Sequence, residues 1–416
     1  MSNILIAGGG FAGVWSAAAA ARVRREQGAD FSITLVDPGD DLVIRPRLYE
    51  PNPERMRVPL ARILDPIGVA LLPGTVTDVD PERRRATIAH RSGELIKLPY
   101  DRLVVATGSS LVRPVLPGAD HLHDVDTIEA ARALDAHIKG LPDRPAVPGR
   151  YTAVVVGAGF TGLEVATELV SRLRAVAEAR GAADEVRVVL VERADEVGPD
   201  LGPGPRPVIL RALDDLGVER RLGVTPESIE PSGLTLSDGS TVPALSIVWT
   251  AGMRASALTN SIPGSLDRLG RLKVDEYLQV IGAPGVYAAG DTAAASADPE
   301  GGHDVMQSCQ HAGPLGKFAG HNVAADLLGL ERARFAAPPY VTCLDLGPAG
   351  AVFTTGFERT VRLTGEEGKR RKRTINQKWI YPPADDAAEL LRRADHQLVN
   401  PMLRPENARS TADSVA

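Results

Sequence analysis

The sequence predicts an α/β protein with two three-layer domains, followed by a C-terminal α+β segment. Three observations predict this fold: a strand–glycine turn–helix–strand unit opens the chain, the same unit recurs at Gly157, and short apolar strands follow each copy. Two copies of a mononucleotide-binding unit are typical of proteins that hold two separate nucleotides. The length of 416 residues agrees with two or three domains.

The first glycine turn follows the apolar run Asn3 to Ala7 and opens an alanine-rich helix. It satisfies the pattern G-x-G-x-x-G with Gly8, Gly9, Gly10, Phe11, Ala12 and Gly13. In this pattern the first glycine permits a tight turn, the second lets the backbone approach a pyrophosphate, and the third lets helix and strand pack closely. Asp37 ends the next strand, where a carboxylate can accept hydrogen bonds from ribose hydroxyls. We therefore predict a dinucleotide site with its phosphates at the helix N-terminus.

The second glycine turn repeats this pattern between another apolar strand and another helix. Its residues are Gly157, Ala158, Gly159, Phe160, Thr161 and Gly162. Glu192 ends the following strand and favours NADH, because the 2′-phosphate of NADPH would meet a like charge. Arg193 would weaken that preference, so NADPH stays open. Both units are Rossmann-like, and they predict two dinucleotide-binding domains.

A third signal is the pair Gly290-Asp291, which closes the apolar run from Val286 to Ala289. We interpret this run as a late strand that returns to the first sheet and places Asp291 beside a nucleotide. This interpretation gives the predicted division of the chain into domains. Residues 1–118 and 276–332 form the first domain, 119–275 the second, and 333–416 the C-terminal segment.

Taken in order, these motifs and Ala106-Thr107-Gly108 resemble the FAD- and NAD(P)-dependent pyridine-nucleotide oxidoreductases. The resemblance covers about Asn3 to Leu330. It implies FAD at the first glycine turn, NADH at the second, a domain link at Ala106-Thr107-Gly108, and contact of Gly290-Asp291 with FAD. It further implies hydride transfer from NADH to FAD and passage of the electrons to a quinone or another small-molecule acceptor.

A narrower resemblance is to the type II NADH dehydrogenases. Four segments carry it: Arg45-Pro46-Arg47-Leu48-Tyr49-Glu50, Gly162-Leu163-Glu164, the run Val248 to Ser256 with Ala251 and Gly252, and Leu278-Gln279-Val280 before Pro284-Gly285-Val286-Tyr287. The acceptor segment from Cys309 to Leu315 keeps the first glutamine of the family pattern, as Gln310. The resemblance implies that Arg45 and Pro46 lie near the flavin, and that Glu164 lies near the flavin and nicotinamide rings. It also implies that Gln310 belongs to the acceptor site. His311 is a candidate proton donor, since the pKa of histidine lies near neutrality.

The acceptor segment departs from the family pattern at Pro314 and Leu315, which stand where the family has a glutamine pair. Two alternatives therefore stay open. One is a specialised biosynthetic or detoxifying flavoenzyme with a specific organic substrate, and the other is a redox-dependent NADH-binding or signalling flavoprotein. Residues 38–60 contain no cysteine, which disfavours the dithiol chemistry of related disulfide reductases.

The composition restricts the kinds of partner that the protein is expected to bind. A net charge of −6 gives no global basic field for nucleic acid. Cys309 and Cys343 form no C-x-x-C, and His121 and His123 have no evident third ligand, so we predict no metal. No apolar run is long enough for a spanning helix, and we predict a cytoplasmic protein. Homodimerisation stays open.

The basic cluster Lys369 to Arg373 is interpreted as a solvated helix face. Weak contact with anionic lipid at a membrane surface is the alternative for this cluster.

Overall fold

The computed structural model describes residues 2–298, 300, 302–399 and 401; the end of the C-terminal segment lies outside this range. The described residues form eight α-helices. These are α1 Phe11–Glu26, α2 Leu60–Leu64, α3 Ile128–Gly140, α4 Phe160–Glu178, α5 Arg206–Leu216, α6 Cys309–Leu328, α7 Gly365–Thr374 and α8 Ala387–Arg393. A π-helix, Ile375–Trp379, continues directly from α7.

The first sheet has seven strands, of which the first five are parallel and the last two antiparallel. In spatial order they are Val286–Ala288, Arg102–Val105, Ser2–Ala7, Phe31–Asp37, Ala70–Asp80, Arg85–His90 and Leu95–Pro99. The central strand is buried from Ile4 to Ala7, as its uninterrupted apolar sequence predicts for a parallel sheet covered on both faces. The late strand that the sequence predicts pairs in parallel with Arg102–Val105 and so belongs to this sheet.

The second sheet has four parallel strands, Val218–Leu222, Arg187–Glu192, Thr152–Val156 and Ser246–Trp249. A separate antiparallel sheet of Pro226–Glu230, Gly233–Leu236 and Thr241–Pro243 shares a hydrophobic cluster with it. The strand Thr152–Val156 is completely buried, and α4 follows it directly. Each parallel sheet thus presents one strand–turn–helix unit, and the predicted α/β class is confirmed.

Helix α6 packs against α1 so closely that backbones meet. A Cβ added at Gly316 would lie 2.4 Å from the carbonyl oxygen of Ala12, and one added at Gly320 would lie 2.1 Å from that of Ser16. The sequence predicts a helix start at Pro314, but α6 begins at Cys309 and contains Pro314. The prediction of that boundary is wrong because tertiary packing outweighs the hydrogen bond that proline removes.

The C-terminal segment adds an antiparallel sheet of Val341–Asp345, Ala351–Thr355 and Thr360–Leu363, against which α7 packs. Four two-stranded pairs complete the described strands: Asp41–Val43 with Arg57–Pro59, Ser109–Leu111 with Met253–Ala255, Leu272–Lys273 with Ala293–Ala294, and Ser296–Asp298 with His303–Asp304. Within the described ranges, none of the helices is long and apolar enough to cross a membrane.

Candidate active site

The first glycine turn is shaped by close backbone contacts. Gly8 has φ +105°, and a Cβ added there would lie 2.3 Å from the carbonyl oxygen of Ala106. A Cβ at Gly13 would lie 1.8 Å from the carbonyl oxygen of Gly8, so only glycine lets α1 approach the strand. A Cβ at Gly10 would meet nothing within 4 Å. The turn therefore leaves open space at Gly10, beside the start of α1 with Phe11 and Ala12.

The second glycine turn has nearly the same geometry. Gly157 has φ +106°, and a Cβ at Gly162 would again lie 1.8 Å from the carbonyl oxygen of the first glycine. A Cβ at Gly159 would meet nothing within 4 Å. Phe160 and Thr161 form the start of α4 next to this open space. The two turns are hereafter called the first and second cradles.

The acid at the end of the second strand also has the same arrangement in both cradles, where it accepts hydrogen bonds from two backbone amides. The bonds run to Asp37 from Gly9 (2.6 Å) and Gly39 (2.8 Å), and to Glu192 from Ala158 (2.7 Å) and Ala194 (3.0 Å). Burial raises the pKa of Asp37, and its two amide donors oppose that rise. Two amide hydrogen bonds thus hold each carboxylate in place next to its glycine turn.

Gly290 and Asp291 lie beside the first cradle. A Cβ at Gly290 would lie 2.8 Å from the Cβ of Ala12 at the start of α1. The carboxylate of Asp291 accepts a hydrogen bond from Ser109 Oγ at 2.6 Å. Burial raises the pKa of Asp291, and the hydrogen bond from Ser109 opposes the rise. The first glycine turn and the later pair Gly290-Asp291, which both follow strands of the first sheet, are therefore brought together at one site.

The segment with Arg45 and Pro46 reaches the same place. Arg45 Nη1 donates to the backbone carbonyl of Ser109 at 3.0 Å and lies 3.9 Å from the carboxylate of Asp291. Arg45 also forms an ion pair with Asp126. Pro46 follows in a short 3₁₀ turn, Arg45–Arg47. The structure therefore places this segment next to Gly290-Asp291.

Contacts between two loops connect the two cradles. The side chains of Thr107 and Ser256 share a hydrogen bond, and the amide of Ser256 donates to the carbonyl of Gly108 at 3.0 Å. On the other side, a Cβ at Gly157 would lie 3.1 Å from the Cβ of Ala251. The carbonyl of Gly252 accepts from Val112 at 2.9 Å. The loop after the strand Arg102–Val105 and the loop after the strand Ser246–Trp249 are thus hydrogen-bonded to each other.

Glu164 lies in the second turn of α4 and is only 7% exposed. Its Oε1 accepts from Lys372 Nζ at 2.8 Å and from the backbone amide of Asp345 at 3.0 Å. Burial raises the pKa of Glu164, with Lys372 opposing. Burial alone would lower the pKa of Lys372, but the Glu164 carboxylate raises it overall. The two groups form a buried acid–base pair that holds a proton between them.

Further polar groups surround this pair. Lys369 forms an ion pair with Asp345, and Tyr49 OH donates to the same carboxylate at 3.0 Å. Lys372 Nζ also donates to the carbonyl of Cys343 at 3.1 Å. The C-terminal sheet and α7 thus close the side of α4 that carries Glu164.

Lys369, Lys372 and Asp345 were not predicted as site residues from the sequence. The interpretation of Lys369 to Arg373 as a solvated face is wrong for Arg371 and Lys372, which are buried. The missed signal is helical spacing, because the buried positions Gly368, Lys372 and Asn376 are four residues apart and share one face of the helix.

Gln310 and His311 stand in the first turn of α6. Gln310 Oε1 accepts from the amide of Val341 at 3.3 Å and thereby joins α6 to the C-terminal sheet. His311 is buried, and its Nδ1 accepts from the amide of Met306 at 3.2 Å. Burial lowers the pKa of His311 to about 4. These contacts favour a neutral, structural His311 over the proton donor that the sequence predicts.

Cys309 and Cys343 are free thiols, both partly exposed. Burial raises the pKa of Cys309 to about 11 and that of Cys343 to about 12. The charges of Lys372, Asp291 and Glu164 all act on the Cys309 thiol. Cys309 is therefore within electrostatic reach of both Asp291, which lies beside the first cradle, and the Glu164–Lys372 pair.

Neither cysteine is expected to behave as a reactive thiol in the folded protein. With a pKa of about 11, Cys309 is only about 0.1% thiolate at pH 8, so alkylation should be roughly a hundredfold slower than for an open thiol. Mass spectrometry after iodoacetamide treatment measures this, with the guanidinium-unfolded protein as the control that takes up two labels. Rapid labelling of either residue in the folded state would contradict the assignment.

No three His, Cys, Asp or Glu side chains are placed to hold a metal ion among the residues that the structure describes. The ring of His123 instead packs against that of His137, with centroids 4.3 Å apart and planes tilted by 42°. The candidate site therefore consists of the two cradles and the buried acid–base pair formed by α4 and α7.

The fold and the two cradles define a class, the oxidoreductases with paired dinucleotide sites. Residues 2–316 match the pyridine nucleotide-disulphide oxidoreductases, and the chain belongs to that family. Its resemblance to the type II NADH dehydrogenases is confirmed by its relatives, and the chain is an NAD(P)H oxidoreductase.

Three comparisons illustrate the relationship. The NADH dehydrogenase-like protein Rv1812c of Mycobacterium tuberculosis is 45% identical over 401 residues, which cover 95% of this chain and 98% of the relative. The type II NADH:quinone oxidoreductase Ndh of the same organism is 28% identical over 359 residues, 80% of this chain and 74% of that one. The solved structure of NDH2 from Plasmodium falciparum in complex with NADH shares the fold, with a TM-score of 0.75 at 14% identity, covering 90% of this chain and 94% of that chain.

Proposed function

We propose that this protein is an FAD-dependent NADH:quinone oxidoreductase. The observations that carry the proposal are the pair of cradles with matching backbone geometry and the buried acid–base pair that Glu164 forms on α4, the helix that begins at the second cradle. Two cradles account for two dinucleotides, and the acid–base pair accounts for a reaction that takes up a proton.

The residues fit FAD in the first cradle. The space at Gly10 admits a pyrophosphate at the N-terminus of α1, and the fixed carboxylate of Asp37 stands where a ribose would lie. Asp291, Ser109 and Arg45 supply further polar groups on the same side. FAD bound there would supply the chemistry, accepting hydride from the nicotinamide and donating electrons to the acceptor.

The residues of the second cradle fit NADH. Gly159 leaves room for the pyrophosphate, and Glu192 offers a carboxylate to the ribose hydroxyls. The 2′-phosphate of NADPH would meet this carboxylate, which is fixed by two amides and cannot turn away. We therefore propose NADH as the preferred donor.

The buried pair is proposed to serve the acceptor. Quinone reduction needs protons as well as electrons, and Glu164 and Lys372 form a buried pair that holds a proton. Gln310 remains a proposed acceptor-site residue because it stands next to Cys309 at the start of α6. The name of the M. tuberculosis relative, a type II NADH:quinone oxidoreductase, supports quinone as the acceptor class.

A second candidate is a flavoenzyme with a specific organic substrate. Pro314 and Leu315 favour it, because they replace the glutamine pair of the resembled family and leave an apolar, hydrogen-bond-poor second turn in α6. Under this proposal the same cradles and the same buried pair serve a different acceptor.

Anaerobic stopped-flow spectroscopy tests the proposal. The purified protein should be yellow, stoichiometric NADH should bleach it faster than NADPH, and a soluble quinone such as menadione should restore the colour within the catalytic cycle time. Slow reoxidation by every quinone, with similar rates for all, would favour the second candidate. A protein that retains no flavin would contradict both.

A further inference from the structure

A polar cleft of about 210 Å³ lies on the outer side of Lys372. Its walls come from four parts of the chain, and the lining includes Tyr49, Glu50, Glu168, Asp345, Lys369 and Lys372. The exposed side chains of Arg373 and Gln377 also line it, so the cleft opens to water at that end. A space of this size holds several water molecules, and its walls offer them hydrogen-bond partners.

Glu168 stands one helical turn after Glu164 on α4 and is half-buried in this cleft. Within the described chain, its carboxylate makes no hydrogen bond or ion pair. The other two acidic side chains of the cleft differ in this respect, because Glu50 pairs with Arg47 and Asp345 pairs with Lys369. Glu168 is therefore the cleft carboxylate most free to exchange a proton with water.

The charges around Glu168 come from every element that faces it. Burial and the charge of Asp345 raise the pKa of Glu168 to about 7, Lys369 on α7 and Arg172 on α4 oppose the rise, and Glu50 adds to it. At neutral pH the side chain is thus divided between its protonated and ionised forms, as a proton carrier requires.

The proposed reaction sets a requirement that these groups meet. NADH, one proton and a quinone give NAD⁺ and a quinol, so the hydride supplies both electrons and one proton, and the second proton comes from water. The Glu164–Lys372 pair is buried, so its proton exchange with bulk solvent must pass through the cleft that Lys372 lines.

Building on the proposed function, we infer that Glu168 takes this proton from water in the cleft and delivers it to the Glu164–Lys372 pair. Lys372 lines the cleft and donates to Glu164, so it connects the two carboxylates. Asp345 links them a second time, since its side chain lines the cleft and its amide donates to Glu164. Glu168 is a proton-relay residue that acts through this pair.

The replacement Glu168→Gln tests this inference in the flavin-loaded protein. Reduction of the flavin by NADH should stay within twofold of the wild-type rate. Reoxidation by menadione should slow about tenfold at pH 6, less than the roughly hundredfold expected for loss of an acid that contacts the acceptor, because Glu168 acts through the Glu164–Lys372 pair. In the wild type the reoxidation rate should fall as pH rises through about 7, because the protonated donor disappears, and the variant should lack this step.

Two further variants test whether the effect is specific to the carboxyl group of Glu168. Glu178→Gln makes the same change at an exposed position of the same helix and should leave the pH profile unchanged. Glu168→Asp keeps a carboxyl group and should restore part of the reoxidation rate, which a merely structural role would not require.

Infrared titration gives a readout that is independent of turnover. The wild type should show a carboxylic-acid band that disappears with a midpoint near pH 7, and Glu168→Gln should lack it. If the variant reoxidises at the wild-type rate with the wild-type pH profile, the inference is overturned while the proposed function stands. If NADH does not reduce the wild-type flavin, the proposed function itself fails.

Discussion

Replacing Gly10 by valine is expected to give a folded protein without flavin. The backbone of Gly10 has φ −72° and ψ −173°, which any residue can adopt, and its Cβ would meet nothing within 4 Å. The added side chain would instead occupy the space that the proposed pyrophosphate needs. Overpacking of this kind costs about 1–3 kcal/mol, which weakens binding roughly tenfold to a hundredfold. Absorbance in the visible range and circular dichroism measure flavin content and folding.

The second cradle provides a matched control. Gly159→Val makes the same change at a position with the same open space, φ −76° and ψ −171°. This variant should remain yellow and should be reduced by dithionite but only slowly by NADH. Gly13→Val should fail to fold, because its Cβ would lie 1.8 Å from the Gly8 carbonyl oxygen. A yellow Gly10→Val protein would show that the first cradle does not hold the flavin.

Loss of the buried lysine is expected to separate the two half-reactions. In Lys372→Met, NADH should still reduce the flavin, while reoxidation by quinone should slow by roughly a hundredfold or more, as for loss of a general acid. Stability should fall by about 3–5 kcal/mol because Glu164 loses its partner in a buried site. The pKa of Glu164, already raised by burial, loses its main opposing charge, so the destabilisation should grow as pH rises. Urea unfolding at several pH values measures this.

The double variant Glu164→Gln with Lys372→Met distinguishes stability from catalysis. It removes both charges, so most of the lost stability should return. The slow reoxidation should persist, because neither proton-holding group of the pair remains. Wild-type reoxidation rates in Lys372→Met would contradict the role proposed for the pair.

The cradles could be predicted from the sequence because each is formed by residues that are close together in the chain. The positions of Gly8, Gly10 and Gly13 are fixed by a strand and a helix that are neighbours in the chain, and the spacing of the glycines reports their contacts. The late strand Val286–Ala288 could be predicted for a similar reason, since a short apolar run before Gly290-Asp291 has few other places in a parallel sheet. These signals need no knowledge of distant packing.

The acid–base site could not be predicted in this way. Glu164 and Lys372 are 208 positions apart, and nothing local distinguishes the buried cations Arg371 and Lys372 from the other three basic residues of the cluster. The pKa of Glu168 depends on charges from three separate segments, so its value near 7 appears only when the chain is folded. The start of α6 was missed for a related reason, because contacts with α1 support a helical turn that proline opposes.

The placement of Val286–Ala288 and α6 has a consequence for synthesis on the ribosome. The N-terminal sheet lacks an edge strand until residue 288 has been made, and α1 lacks its covering helix until residue 328 has been made. All four strands of the second parallel sheet, by contrast, are present once residue 249 has been made. The segment that leaves the ribosome first is therefore the later one to be completed, and its apolar faces at Ile4 and Ile6 must be protected in the meantime.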